Sequence, residues 1–116
     1  MAPRKPSPPS FAVTWREQVE GPLYAGELTL GPEKLQLGGT ARAGELATLR
    51  IPYGEIEDVH VGRTGSDRIR GRISLVVDLS NGSTLHIGSV SGQVTIVELA
   101  DLIAERLSRG QALLRP

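Results

Sequence analysis

Residues 75–87 read Leu75-Val-Val-Asp-Leu-Ser-Asn-Gly-Ser-Thr-Leu-His-Ile87. Leu75, Val77 and Leu79 alternate before Asn81-Gly82, and Leu85 and Ile87 alternate after it, the period-two pattern of strands with one buried face. Loop length decides which faces meet. A two-residue Asn-Gly turn pairs Ser80 with Ser83 and Leu79 with Thr84, which sends the two apolar sets to opposite faces. A three-residue loop, Ser80-Asn81-Gly82, pairs Val77 with Leu85 and Leu75 with Ile87. That geometry is a type I turn with Gly82 left-handed in a G1 bulge. The shared apolar face selects the longer loop, and with it an antiparallel hairpin.

The same alternation recurs upstream. Phe11, Val13 and Trp15 mark a first strand that Gly21-Pro22 ends. Leu28 and Leu30 face Leu37 and Leu35 across Gly31-Pro32-Glu33-Lys34, where Pro32 suits the second position of a type I turn. Gly38-Gly39 is expected to close that strand. Leu49 and Ile51 mark another, stopped by Pro52, and Ile56, Val59 and Val61 a further one. Downstream the period changes. Ile96, Leu99, Ala100, Ile103 and Leu107 recur at helical spacing, with Glu98, Asp101 and Glu105 opposite. Thr95-Ile-Val-Glu98 reads as a capping box, Val94 and Leu99 as a hydrophobic staple, and Gly110 as the stop.

Seven strands without crossover helices, followed by one amphipathic helix, define a mainly β fold. It is expected to be a seven-stranded antiparallel sandwich or partly open barrel capped by the C-terminal α-helix. Residues 1–10, with four of the eight prolines, read as a disordered polar tail, 11–110 as the domain, and 111–116 as a C-terminal tail.

Composition removes several function classes. At 116 residues the chain suits one core, and 39% apolar with 22% charged residues is globular usage. No aliphatic or aromatic run exceeds three residues, which argues against a membrane-spanning helix and a secretory signal. The absence of cysteine removes disulfides, thiolate metal sites and a cysteine nucleophile. Zero net charge and 3% aromatic residues argue against nucleic acid as a partner.

Two segments carry a resemblance. Gly26-Glu-Leu-Thr-Leu-Gly-Pro-Glu-Lys-Leu-Gln-Leu37 resembles the second and third strands of bacterial pleckstrin-homology-like and GRAM domains. Ile51-Pro-Tyr-Gly-Glu-Ile-Glu-Asp-Val-His-Val61 is similar to that group's step from one strand through a short bend into the next. The element order matches over residues 11–109. The resemblance implies a barrel capped by a helix, on which lipid binders, peptide binders and oligomeric scaffolds are all built.

The concentrated chemical feature is Arg63, Arg68, Arg70 and Arg72, within ten residues of one another. Their guanidinium groups, with Gly65, Ser66 and Gly71, could hold an anion or a partner; the plainer reading is a solvated loop guarding a sheet edge. Phosphoinositide-binding pleckstrin-homology domains carry basic residues around the loop joining the first two strands. Here Glu17 and Glu20 oppose Arg16 in that region, and Arg42 meets Glu45 in the loop between the third and fourth strands. Glu55, Glu57 and Asp58 read as a solvated bend, and His60 and His86 as exposed and unrelated histidines. No metal site is expected. Trp15, on the face of Phe11 and Val13, is expected in the core, an exposed anchor for a partner being the other reading.

No catalytic residues, cofactor or enzyme activity are expected. The sequence points to a cytoplasmic, non-enzymatic binding or scaffold module contacting a protein partner, with self-association included and an exposed first strand or strand-five edge as the docking element. The alternative is a peripheral module at the inner face of the membrane, binding anionic lipid through residues 63–72.

Overall fold

A computed structural model describes residues 9–17, 21–64, 68–69, 72–90 and 93–114, with side chains in the final helix described for 95–108. Seven strands follow in order: β1 (Ser10–Arg16), β2 (Tyr24–Leu30), β3 (Lys34–Ala41), β4 (Leu46–Pro52), β5 (Ile56–Gly62), β6 (Ser74–Leu79) and β7 (Thr84–Ser89). A 3-10 turn, Tyr53–Glu55, links β4 to β5, and α1 (Gln93–Leu114) ends the chain. Among the described residues no helix is long and apolar enough to cross a membrane.

All strand pairings are antiparallel, in the order β4-β3-β2-β1-β7-β6-β5. The order dictates the shape. In a flat sheet the outer two of seven strands would lie roughly 29 Å apart at about 4.8 Å per step. Yet those two, β4 and β5, are joined by a three-residue turn that rises only about 6 Å. The sheet must therefore curl, and it does so into a half-barrel with α1 packed against β5, β6, β7 and the 3-10 turn.

Both hairpin registers follow from the apolar alternation. Leu28 pairs with Leu37 and Leu30 with Leu35; Leu75 pairs with Ile87 and Val77 with Leu85. At the second turn Gly82 N–H donates to Leu79 O at 3.0 Å, Leu79 N–H donates to Ser83 O at 2.9 Å, and Gly82 has φ +89°. This is the three-residue loop with its left-handed glycine. The inward leucines, Trp15, Ile51, Ile87 and the α1 residues Ile96, Leu99 and Ile103 form one buried cluster.

Four expectations are corrected. Gly38-Gly39 does not end β3, which runs on to Ala41. A Cβ on the facing Gly26 would lie 2.0 Å from Gly38 O, and one on Gly39 would lie 3.1 Å from Trp15 Nε1. The glycines admit close strand and ring contact, and Trp15 Nε1 donates to Gly38 O at 3.2 Å. Second, α1 starts at Gln93, so Thr95 stands inside the first turn and does not precede it. Third, α1 continues four residues past Gly110. A helical glycine costs only about 1 kcal/mol, and Gln111, Ala112 and Leu113 beyond it are strong helix formers. Fourth, β1 includes Ser10, and Pro9 O accepts Leu30 N–H at 2.9 Å, so ordered pairing begins slightly before Phe11. The proposed Val94–Leu99 staple lies outside the described side chains.

Candidate functional site

Inward positions on β1, β7, β6 and β5 fill the core, so the alternate positions share the outer face. The cross-strand pairs Arg16–His86, His86–Val76 and Val76–His60 set these residues in one row across four strands. Exposure along the row is uneven. Val76 and His86 are each only 3% accessible, and Ser74 on the same face is fully buried.

Described residues between β5 and β6 approach this face. Ile69 and Arg72 exchange two backbone hydrogen bonds of 3.0 Å in an isolated antiparallel bridge. Ile69 is 4% accessible and stands 3.4 Å from the position a Cβ on Gly88 would take. Arg16 Nη2 donates to Arg68 O at 3.1 Å, and Arg68 Nε donates to Arg63 O at 3.0 Å. Arg68 and Ile69 thus lie against β1 and β7, Arg68 through Arg16 and Ile69 beside Gly88. Arg63, Arg68 and Arg72 are exposed, and Arg68 is committed in part to holding the loop. Arg70 lies outside the described residues, as do Gly65, Ser66 and Gly71. A cleft of about 310 Å³ beside Ile69 is lined by Thr14, Arg72, Ile73 and Gly88.

His86 is not the exposed histidine expected, being only 3% accessible. His60 is exposed but not isolated. Its Nδ1 lies 3.0 Å from Asp58 Oδ2 and 3.8 Å from Asp78 Oδ2. Asp58 and Asp78 are themselves direct partners across β5 and β6. A register shift between Ile56 and Asp58 creates the arrangement. The bulge lets Ile56 face inward while Asp58 and His60 share the outer face. Sequence reading considered the carboxylates 55, 57 and 58 and missed that Asp58 and His60 are two residues apart on one strand.

Trp15 is fully buried and stacks on Tyr24 with ring centres 4.6 Å apart, so it is a core residue and not an exposed anchor. β1 is equally unavailable as a docking edge, because it pairs with β2 on one side and β7 on the other. The sheet order instead leaves β4 and β5 as its two outer strands. β4 exposes Leu46 (84% accessible), Thr48 and Arg50; β5 exposes Glu57, Asp58 and His60. Beside the start of β2 and the end of β3 a cleft of about 670 Å³ is lined by residues 22–25 and 40–43 with Thr14 and Glu45. The cationic side chain in its lining is Arg42, and Glu45 lies in the same wall.

Seven curled antiparallel strands closed by a C-terminal helix constitute the pleckstrin-homology-like fold. The chain is similar to the C-terminal domain of an unknown protein from Leishmania infantum, with a TM-score of 0.62 and 21% identity over 83% of this chain and 82% of that one. It is also similar to the pleckstrin homology domain of USP37, with a TM-score of 0.53 and 15% identity over 86% and 95% of the two chains. No protein-family model and no curated protein matches the sequence. At these identities the likeness establishes the fold alone.

Proposed function

We propose that this protein is a non-enzymatic interaction module that binds protein through its open sheet edges, a second copy of itself included. The observation that carries the reading is the strand order, which ends at β4 and β5 without pairing them to each other. Unpaired edges present rows of backbone donors and acceptors to an added strand. The charges on the two edges are complementary. β5 exposes Glu57 and Asp58, whereas β4 exposes Leu46 and Arg50. Two β5 edges would repel each other, so self-association pairs β4 of one copy with β5 of the next, a heterologous contact. The site of action is the cytoplasm. The likeness to bacterial GRAM-like domains rests on the Gly26–Leu37 and Ile51–Val61 segments.

The competing reading places anionic lipid on Arg63, Arg68, Arg70 and Arg72. Co-sedimentation with anionic liposomes at low salt and near 0.15 M salt separates the two. The protein should stay in the supernatant at the higher salt, where exposed charges are screened beyond roughly 8 Å. Micromolar, salt-sensitive liposome binding that disappears when Arg68, Arg70 and Arg72 become Ser, with the melt unchanged, would replace the edge reading with the membrane one.

A further inference from the structure

The outer face of β5 and β6 carries a donor set of which the edge-binding role uses only the charge of Asp58. We propose that Asp58, His60 and Asp78 bind a divalent first-row transition ion of the zinc class. His60 Nδ1 and one carboxylate oxygen from each aspartate all lie within 4.8 Å of one another. The His60 Nδ1 distances to the two carboxylates are 3.0 and 3.8 Å. Zinc bonds of about 2.0–2.2 Å to nitrogen and oxygen put neighbouring donors of a tetrahedral ion roughly 3.3 Å apart. The two distances to His60 straddle that value, and the three donors are close enough for side-chain rotations to bring them onto one ion.

Three further features favour a cation here. Asp58 and Asp78 face each other directly across an antiparallel pair, where like charges are destabilising. Among the described residues no lysine or arginine pairs with either; their ion-pair partner is His60. The two charges of such an ion offset both carboxylates. Asp78 is also oriented from outside the set, since Thr84 Oγ1 donates to its Oδ1 at 3.3 Å and leaves Oδ2 toward His60. Such outer contacts hold ligands in place for metals. The mixed nitrogen and oxygen donors favour a borderline ion over magnesium or calcium, which prefer all-oxygen surroundings. With three partly exposed protein donors on β5 and β6, the ion keeps at least one position for water.

The chain has two histidines and no cysteine, so a zinc titration meets few competing donors. The test is calorimetric titration of the full chain with zinc chloride, thermal melts with and without zinc, and imidazole NMR signals during the titration. One equivalent should bind, the melting midpoint should rise with zinc, and the His60 ring signals should shift while those of the buried His86 stay in place. Asp78→Asn and His60→Gln should each weaken binding by at least about ten-fold. Their zinc-free melts should remain cooperative, because these side chains are 39% and 48% accessible. Magnesium chloride at the same concentration should leave the midpoint and the His60 signals unchanged. The proposal is overturned if wild-type His60 signals do not move at ten-fold excess of zinc, if His60→Gln binds zinc as well as wild type, or if magnesium binds equally.

Discussion

Gly82 and Tyr53 show what single residues contribute. Gly82 stands at φ +89° with no atom within 4 Å of where its Cβ would be, so conformation alone decides a substitution. Gly82→Val should destabilise by about 1–2 kcal/mol or more, since a β-branched side chain crowds the left-handed region. Gly82→Asn should be much milder. Equal losses in denaturant melts would contradict the G1 bulge. Tyr53 ties three parts of the barrel together. Its hydroxyl donates to Gly31 O at 2.8 Å, its N–H to Glu33 O at 3.2 Å, and Arg106 of α1 stands 6.0 Å from its ring centre. Burial raises the hydroxyl pKa above its ordinary value near 10, partly offset by the Arg106 charge. The unfolded chain therefore ionises first. The stability this shift contributes is complete below pH 10 and is lost as pH rises through the folded-state value. Tyr53→Phe should cost about 1 kcal/mol at neutral pH through the lost hydrogen bond. It should also flatten the fall in stability above pH 10, read from melts across that range. An unchanged alkaline fall would assign it to other groups.

At the scale of elements, alternation made the strands and both hairpin registers legible, because one face of each is buried and a one-residue slip would expose every leucine. Helix ends were less legible. The Thr95 box and the Gly110 stop are local signals, and the packing of Ile96, Leu99 and Ile103 on the sheet outweighs both. Thr95→Ala consequently removes no N-terminal cap. Ile103 is fully buried between α1 and the sheet. Ile103→Asp would strand a carboxylate there, at a cost of several kcal/mol against the roughly 5–15 kcal/mol typical of a whole domain. A near-wild-type cooperative melt for that variant would contradict the packing of α1. The bulge in β5 had a signal that is easy to pass over. Ile56 and Val59 both face inward yet are three residues apart, which a regular strand does not allow. Reading that odd spacing as a bulge would have put Asp58 beside His60. The arginine segment was legible only as a charge run. Its contact with β7 beside Gly88 is made by Ile69, a single apolar residue among arginines that no periodicity singles out.

For the whole molecule, the two ends of the sheet matter most. Seven strands and a three-residue link demand a curl, but β4 and β5 remain unpaired with each other. The edge charges, acidic on β5 and basic and apolar on β4, could be read only once the strand order placed these two outermost. Light scattering across a concentration series tests the resulting proposal, comparing wild type with Leu46→Glu. Leu46 is 84% accessible, so the variant should fold and melt like wild type while setting a new negative charge against the acidic β5 of a neighbour. The expected result is a wild-type mass that climbs with concentration and a Leu46→Glu mass that stays monomeric throughout. A wild-type protein that remains monomeric at every concentration, or a Leu46→Glu variant that associates as wild type does, would contradict it.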